Sequence, residues 1–193
     1  INTQNNLAAS TGSPSYSFND TSLSDINNYS LEVTQNGVTK TYSFIVLKTI
    51  TPASSAIPSN LVDGINYNTT DPTKATLVLN APFKDFVYVA GSFNNYQPTS
   101  AYAMKKDPNS NKFWLELTGL TPEQIYTYQY WVCDQTSLPA NSPGLVKTAD
   151  PFSKLVLSPY DDTLIASLGV FPNLPPYPAG QEREVTVLQT GTN

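Results

Sequence analysis

Tyr126-Thr127-Tyr128-Gln129-Tyr130-Trp131-Val132 is the stretch on which the fold class turns. Successive side chains of a strand point to opposite faces, so Tyr126, Tyr128, Tyr130 and Val132 share one face and Thr127, Gln129 and Trp131 the other. The tyrosine and valine row is the expected core face. Phe113-Trp114-Leu115-Glu116-Leu117 alternates in the same way, with Phe113, Leu115 and Leu117 on one side and Trp114 and Glu116 on the other. Both tryptophans therefore fall opposite the core rows.

Further strand candidates lie at short, regular spacing around these two: Lys74–Leu79, Phe86–Ala90, Lys112–Leu117, Tyr126–Cys133 and a weaker one at Leu155–Leu157. Turn residues separate them, at Ala81-Pro82, Gly91-Ser92-Phe93-Asn94-Asn95, Asp107-Pro108-Asn109 and Thr118-Gly119-Leu120-Thr121-Pro122. No stretch sustains a 3.6-residue period beyond two turns. The expected fold is all-β: an immunoglobulin-like antiparallel β-sandwich over residues 63–170, with an extra N-terminal β-hairpin and a Pro-rich C-terminal extension.

On the N-terminal side, Tyr29, Leu31 and Val33 alternate with polar residues up to Gln35-Asn36-Gly37, where Asn-Gly signals a type I′ turn. Val38 to Leu47 forms the second strand. A lone hairpin is marginal in water, so residues 1–48 read as the last strands of a preceding small β domain; the alternative is that the hairpin packs on the next domain. Residues 49–62, with two prolines and small side chains, read as a linker. On the C-terminal side, residues 171–193 comprise a proline-rich connector (FPNLPPYPAG) and a strand, Glu184–Gln189, whose partners are not evident. Both ends read as cuts within a longer protein, with more chain expected to follow.

Composition excludes several classes of function. The chain has 193 residues, 39% hydrophobic and only 13% charged, and a net charge of −5. Asn, Ser, Thr and Gln must then cover much of its surface, as in β-rich extracellular proteins, so the expected setting is extracellular, periplasmic or at a cell surface. Phosphate neutralisation needs clustered Lys and Arg, which excludes nucleic acid as the expected partner. No apolar run approaches the ~18 residues of a membrane helix. The absence of histidine removes Ser-His-Asp and Cys-His catalysis and His-ligated zinc. Cys133 stands alone and reads as a small half-buried filler. Asp71, Asp107, Asp161 and Asp162 sit in turn contexts, and Glu116 and Glu123 on a strand surface and in a turn, so no carboxylate pair for glycoside hydrolysis is evident. Calcium at Asp161-Asp162 lacks further oxygen ligands. No catalytic residue, metal or cofactor is expected.

What remains is the outward row. Aromatic rings beside amide side chains suit a sugar, whose C–H faces stack on the ring while amides take its hydroxyls. The other reading is that Trp114 and Trp131 form a face buried under a neighbouring domain or the linker.

Three blocks resemble carbohydrate-binding module family 48, the early-set domain preceding the catalytic barrel of α-amylase-family (family 13) glycoside hydrolases. Phe86–Tyr96, FVYVAGSFNNY, is similar to the family strand and its GxFNxW turn. Phe113–Leu117 with Leu120 is similar to the strand ending in a glycine- or proline-bearing turn. The third block runs from the Tyr126–Val132 strand to Lys147-Thr148-Ala149-Asp150-Pro151, similar to the family's closing A-D-P. The flanking segments resemble the inter-domain pattern of Bacteroidetes-type α-amylase proteins. The resemblance implies a non-catalytic module that binds α-glucan or positions a catalytic barrel of the same polypeptide, or else a spacer without sugar affinity; a generic immunoglobulin-like interaction domain is a further alternative. It implies sugar contact at Tyr96, Asn94, Asn95, Gln129 and Lys147, to which the alternation adds Trp114 and Trp131. Tyr96 stands where glycogen-binding members carry a stacking tryptophan, Gln129 where they carry a lysine, and Lys147 near the position of their second tryptophan.

Overall fold

A computed structural model of the chain describes residues 20–135, 139, 142–160, 168–169 and 173–192. Among these residues the chain forms eleven strands: β1 (Ile26–Gln35), β2 (Val38–Leu47), β3 (Gly64–Tyr67), β4 (Ala75–Leu79), β5 (Phe86–Gly91), β6 (Lys105–Lys106), β7 (Phe113–Leu117), β8 (Ile125–Cys133), β9 (Leu145–Thr148), β10 (Val156–Leu157) and β11 (Val185–Gln189). All named pairings are antiparallel. One sheet runs β3-β4-β7-β6 and the other β10-β11-β8-β5, with β9 also paired to β8. This is the expected all-β sandwich.

Period-two alternation builds the core. Ala75, Leu77 and Leu79 of β4, Val87 and Val89 of β5, Phe113, Leu115 and Leu117 of β7, and Tyr126, Tyr128 and Tyr130 of β8 meet between the sheets. Gly91 is required where β5 leaves the sheet, because a Cβ there would lie 2.7 Å from the Thr127 carbonyl oxygen. Asn36 and Gly37 both take positive φ, 52° and 76°, as a type I′ turn demands.

Strand β8 organises its sheet. Its outer half, Tyr130–Cys133, pairs with β9, while Ile125–Tyr128 pairs with β11 along the same edge. The C-terminal strand thus finds its partners in β8 and β10. Strands β3, β6 and β9 are not evident from the sequence pattern, being two to four residues long.

The hairpin packs on the sandwich at its base. Ile26, Ile45 and Leu47 join Phe86, Tyr88 and Trp131 on the outer face of the β8 sheet, and Asp25 accepts the Ser100 N–H at 2.7 Å. Farther out, Leu31, Val33, Val38, Tyr42 and Phe44 stand exposed. Residues 53–55 run beside the edge strand β6: Lys106 N–H donates to the Ala53 carbonyl at 2.9 Å, and Ser55 N–H to the Lys106 carbonyl at 3.0 Å.

The tryptophans do not form the single face that the alternation suggests. Trp114 belongs to β7 and Trp131 to β8, and the two strands lie in opposite sheets. Each points away from the shared core, so they lie on opposite sides of the sandwich. Alternation identifies the outward residues of a strand and says nothing about which sheet the strand joins.

Candidate functional site

The outer face of β5 and β8 brings together Tyr96, Gln129 and Trp131, three of the residues picked out from the sequence. Gly91-Ser92-Phe93-Asn94-Asn95-Tyr96 folds into a 3₁₀ turn over Ser92–Asn94. Asn94 shapes this turn: its Oδ1 accepts the Gly91 N–H at 2.8 Å and its Nδ2 donates to the Val89 carbonyl at 3.1 Å. Asn95 and Tyr96 both take left-handed backbone, with φ of 52° and 54°. That conformation turns the chain back over the sheet, leaving Asn95 exposed and Tyr96 buried, with its hydroxyl bonded to that of Thr127.

A strap of the chain, residues 173–184, covers this face. Leu174 and Tyr177 pack against the cluster that holds Tyr96 and Trp131, and the Tyr177 hydroxyl donates to the Arg183 carbonyl. Tyr96, Gln129 and Trp131 retain 8%, 0% and 3% of their exposure. The Gln129 amide is fully engaged: Nε2 donates to the carbonyls of Glu182 and Glu184, at 3.0 and 3.4 Å, and Oε1 accepts the Trp131 indole N–H at 3.0 Å. Lys147, on β9, closes the arrangement, its ammonium 4.4 Å from the Trp131 ring centroid and 3.4 Å from a Glu182 carboxylate oxygen. Lys147 also lines an open groove between the hairpin and β9, with Asn28, Ser30, Ser43, Leu145 and Glu182.

Trp114 lies apart, on the other sheet. Its indole N–H donates to the Ser55 carbonyl at 2.9 Å, Lys105 stacks on its ring at 4.4 Å, and 7% of it is exposed. Residues 53–55 thus do for Trp114 what the strap does for Trp131.

No family model matches the chain, and no curated protein matches it.

The charged groups hold local structure. Asp71 accepts from the backbone and hydroxyl of Thr73, and these hydrogen bonds, with Lys74 at 3.1 Å, hold its carboxyl below the ordinary value. Asp107 does the same in the turn at 107–110, lowered chiefly by the Ser110 hydroxyl. Asp161 and Asp162 lie outside the described residues. Among those described, no group of three or more His, Cys, Asp or Glu is placed to hold a metal. Burial pushes the Cys133 thiol up to about 12, leaving it protonated at neutral pH.

One polar centre escapes sequence inspection. Asp150, in the A-D-P segment, is buried, and its Oδ2 accepts the hydroxyls of Tyr128 and Tyr130 at 2.9 and 2.8 Å. Its Oδ1 takes the Phe152 N–H at 2.8 Å, and its own N–H donates to the Thr186 hydroxyl at 2.7 Å. Burial, reinforced by the carboxylate, raises both tyrosines well above their ordinary value. The signal was the tyrosine row itself, since a buried phenol needs a partner for its hydroxyl.

Proposed function

We propose that this chain is a non-catalytic β-sandwich module of an α-amylase-family glycoside hydrolase acting outside the cytoplasm. Its work there is that of a structural spacer holding its flanking segments in fixed register beside the catalytic barrel. The family assignment rests on the FVYVAGSFNNY, FWLEL and YTYQYWV…TADP blocks. The preference for a spacer over an α-glucan binder rests on one observation: the polar atoms of Gln129 and Trp131 are bonded to each other and to the strap, beneath a buried surface.

A sugar-binding face needs ring area in water and amide groups free to exchange their partners. Here the ring of Trp131 carries Lys147 rather than solvent, and the Gln129 amide has no unused donor directed outward. Tyr96 is likewise closed, its hydroxyl bonded to that of Thr127 within the cluster against which Tyr177 packs. Of the expected contacts, Asn95 alone is exposed, and one amide makes no platform.

Titration of the chain with maltoheptaose tests the reading. Calorimetry and the indole NMR signals of Trp114 and Trp131 are expected to show no response up to millimolar sugar. Saturable shifts at Trp131 would establish the α-glucan-binding reading in its place.

A further inference from the structure

We propose that the outer face of β5 and β8 is a binding groove for a proline-rich extended peptide, and that residues 173–184 are its built-in ligand. The first half of the strap, NLPPYP, contacts the sheet with a period of three: Leu174, Pro175, Tyr177 and Pro178 are half-buried, whereas positions 173 and 176 face solvent. A turn at 179–180 follows, and Gly180 and Arg183 take positive φ, 75° and 69°, so the extended part of the ligand is residues 173–178. Three residues per turn is the period of a polyproline II helix, which lacks internal hydrogen bonds and leaves every carbonyl free for a partner.

The face supplies the chemistry that such a segment needs. Proline offers a ring and a carbonyl but no N–H. Aromatic walls take the rings and donors take the carbonyls, the arrangement by which proline-rich segments are generally bound. The cluster that holds Tyr96 and Trp131 forms the wall against Leu174 and Tyr177, and beyond the turn at 179–180 the Gln129 amide donates to the carbonyls of Glu182 and Glu184. Lys147 adds selectivity for an acid at position 182. These contacts read main chain, ring and one charge, so they serve equally for a separate peptide of the same pattern.

The sandwich does not depend on the strap for its core. No residue from 173–184 belongs to the described cluster between the sheets, and β11 begins immediately after the strap, held to β8 by its own pairing. The strap can therefore leave the groove while both of the strands that frame it stay in place. This inference goes beyond the spacer reading, which requires only that the face be covered.

The test uses the full chain with Leu174→Ser and Tyr177→Ser together, and a synthetic peptide of residues 173–184 as probe. The substituted chain is expected to bind the peptide at least tenfold more tightly than the unsubstituted chain does, read by tryptophan fluorescence. A peptide carrying the same two serines is expected not to bind. The proposal is overturned if the substituted chain keeps its near-UV circular dichroism and takes neither peptide, takes both alike, or takes maltoheptaose in place of the peptide. Should the double variant not fold, hydrogen exchange on the unsubstituted chain decides. Strap amides 179–184 exchanging at least tenfold faster than those of β8 support the proposal, and exchange only through global unfolding contradicts it. Sugar binding by the unsubstituted chain would sink the spacer reading alone, so the two failures are distinct.

Discussion

The two faces of β8 carry similar aromatic side chains and are closed by different means. On the inner face, Tyr126, Tyr128 and Tyr130 meet the opposite sheet, and a carboxylate, Asp150, satisfies two of the three hydroxyls. On the outer face, Trp131 and Gln129 are closed by main-chain carbonyls of a proline-rich strap and by a lysine whose partner, Glu182, lies in water. The inner face is held by hydrogen bonds to a charge in a dry interior, where each is strong and leaving one unmade is costly. The outer face is held by neutral amide bonds and a solvent-edge ion pair, which contribute less and exchange more easily. A single strand thus separates a permanent core from a reversible cover.

The largest way to break this comparison is Asp150→Ala. It strands two buried phenolic hydroxyls and a backbone N–H, and is expected to lower stability by about 3–5 kcal/mol in urea denaturation. A loss below about 1 kcal/mol would place the two faces on equal terms.

Alkaline titration comes next. Tyr128 and Tyr130 are raised well above the ordinary value, and Tyr88 is raised to about 12 by burial. A raised pKa means that the folded state keeps its protons after the unfolded chain has lost them. Stability is therefore full below pH ~10 and falls as pH rises above it, by about 1.4 kcal/mol per pH unit for each phenol held neutral. A stability flat from pH 9 to 12 would contradict the buried network.

On the outer face, Gln129→Ala removes the amide that links Trp131 to the strap. An overall loss of about 1–3 kcal/mol is expected, with amide exchange accelerated in residues 182–184 before it is in β8. Equal acceleration in both would merge the cover with the core. The smallest expected effect has the opposite sign. The Tyr88 hydroxyl is buried without a hydrogen-bond partner among the described residues, so Tyr88→Phe is expected to be neutral or to stabilise by up to about 1 kcal/mol in the same denaturation assay. A loss of more than 1 kcal/mol would reveal a partner for that hydroxyl.

The sandwich was legible in the sequence because alternation is local. Residues two apart in Phe113–Leu117 and Tyr126–Val132 share a face whatever surrounds them, and the core rows follow from that. The cover was not legible because it is not local. Gln129 meets the Glu182 carbonyl across 53 residues of chain and Trp114 meets that of Ser55 across 59, and neither carbonyl carries a side-chain signature. Asn94 resembled a sugar ligand in the GSFNNY block, yet its amide is used on the backbone of its own turn. Strand β9 was missed for a third reason, since four residues after Pro143-Gly144 give too short a period to separate from loop.

Quenching of Trp131 fluorescence by acrylamide, in a Trp114→Phe background, tests the closure of the outer face most directly. With Trp131 closed by the strap and Lys147, its quenching constant is expected to lie well below that of free tryptophan and to stay unchanged on adding millimolar maltoheptaose. Quenching as fast as that of free tryptophan, relieved by the sugar, would contradict it.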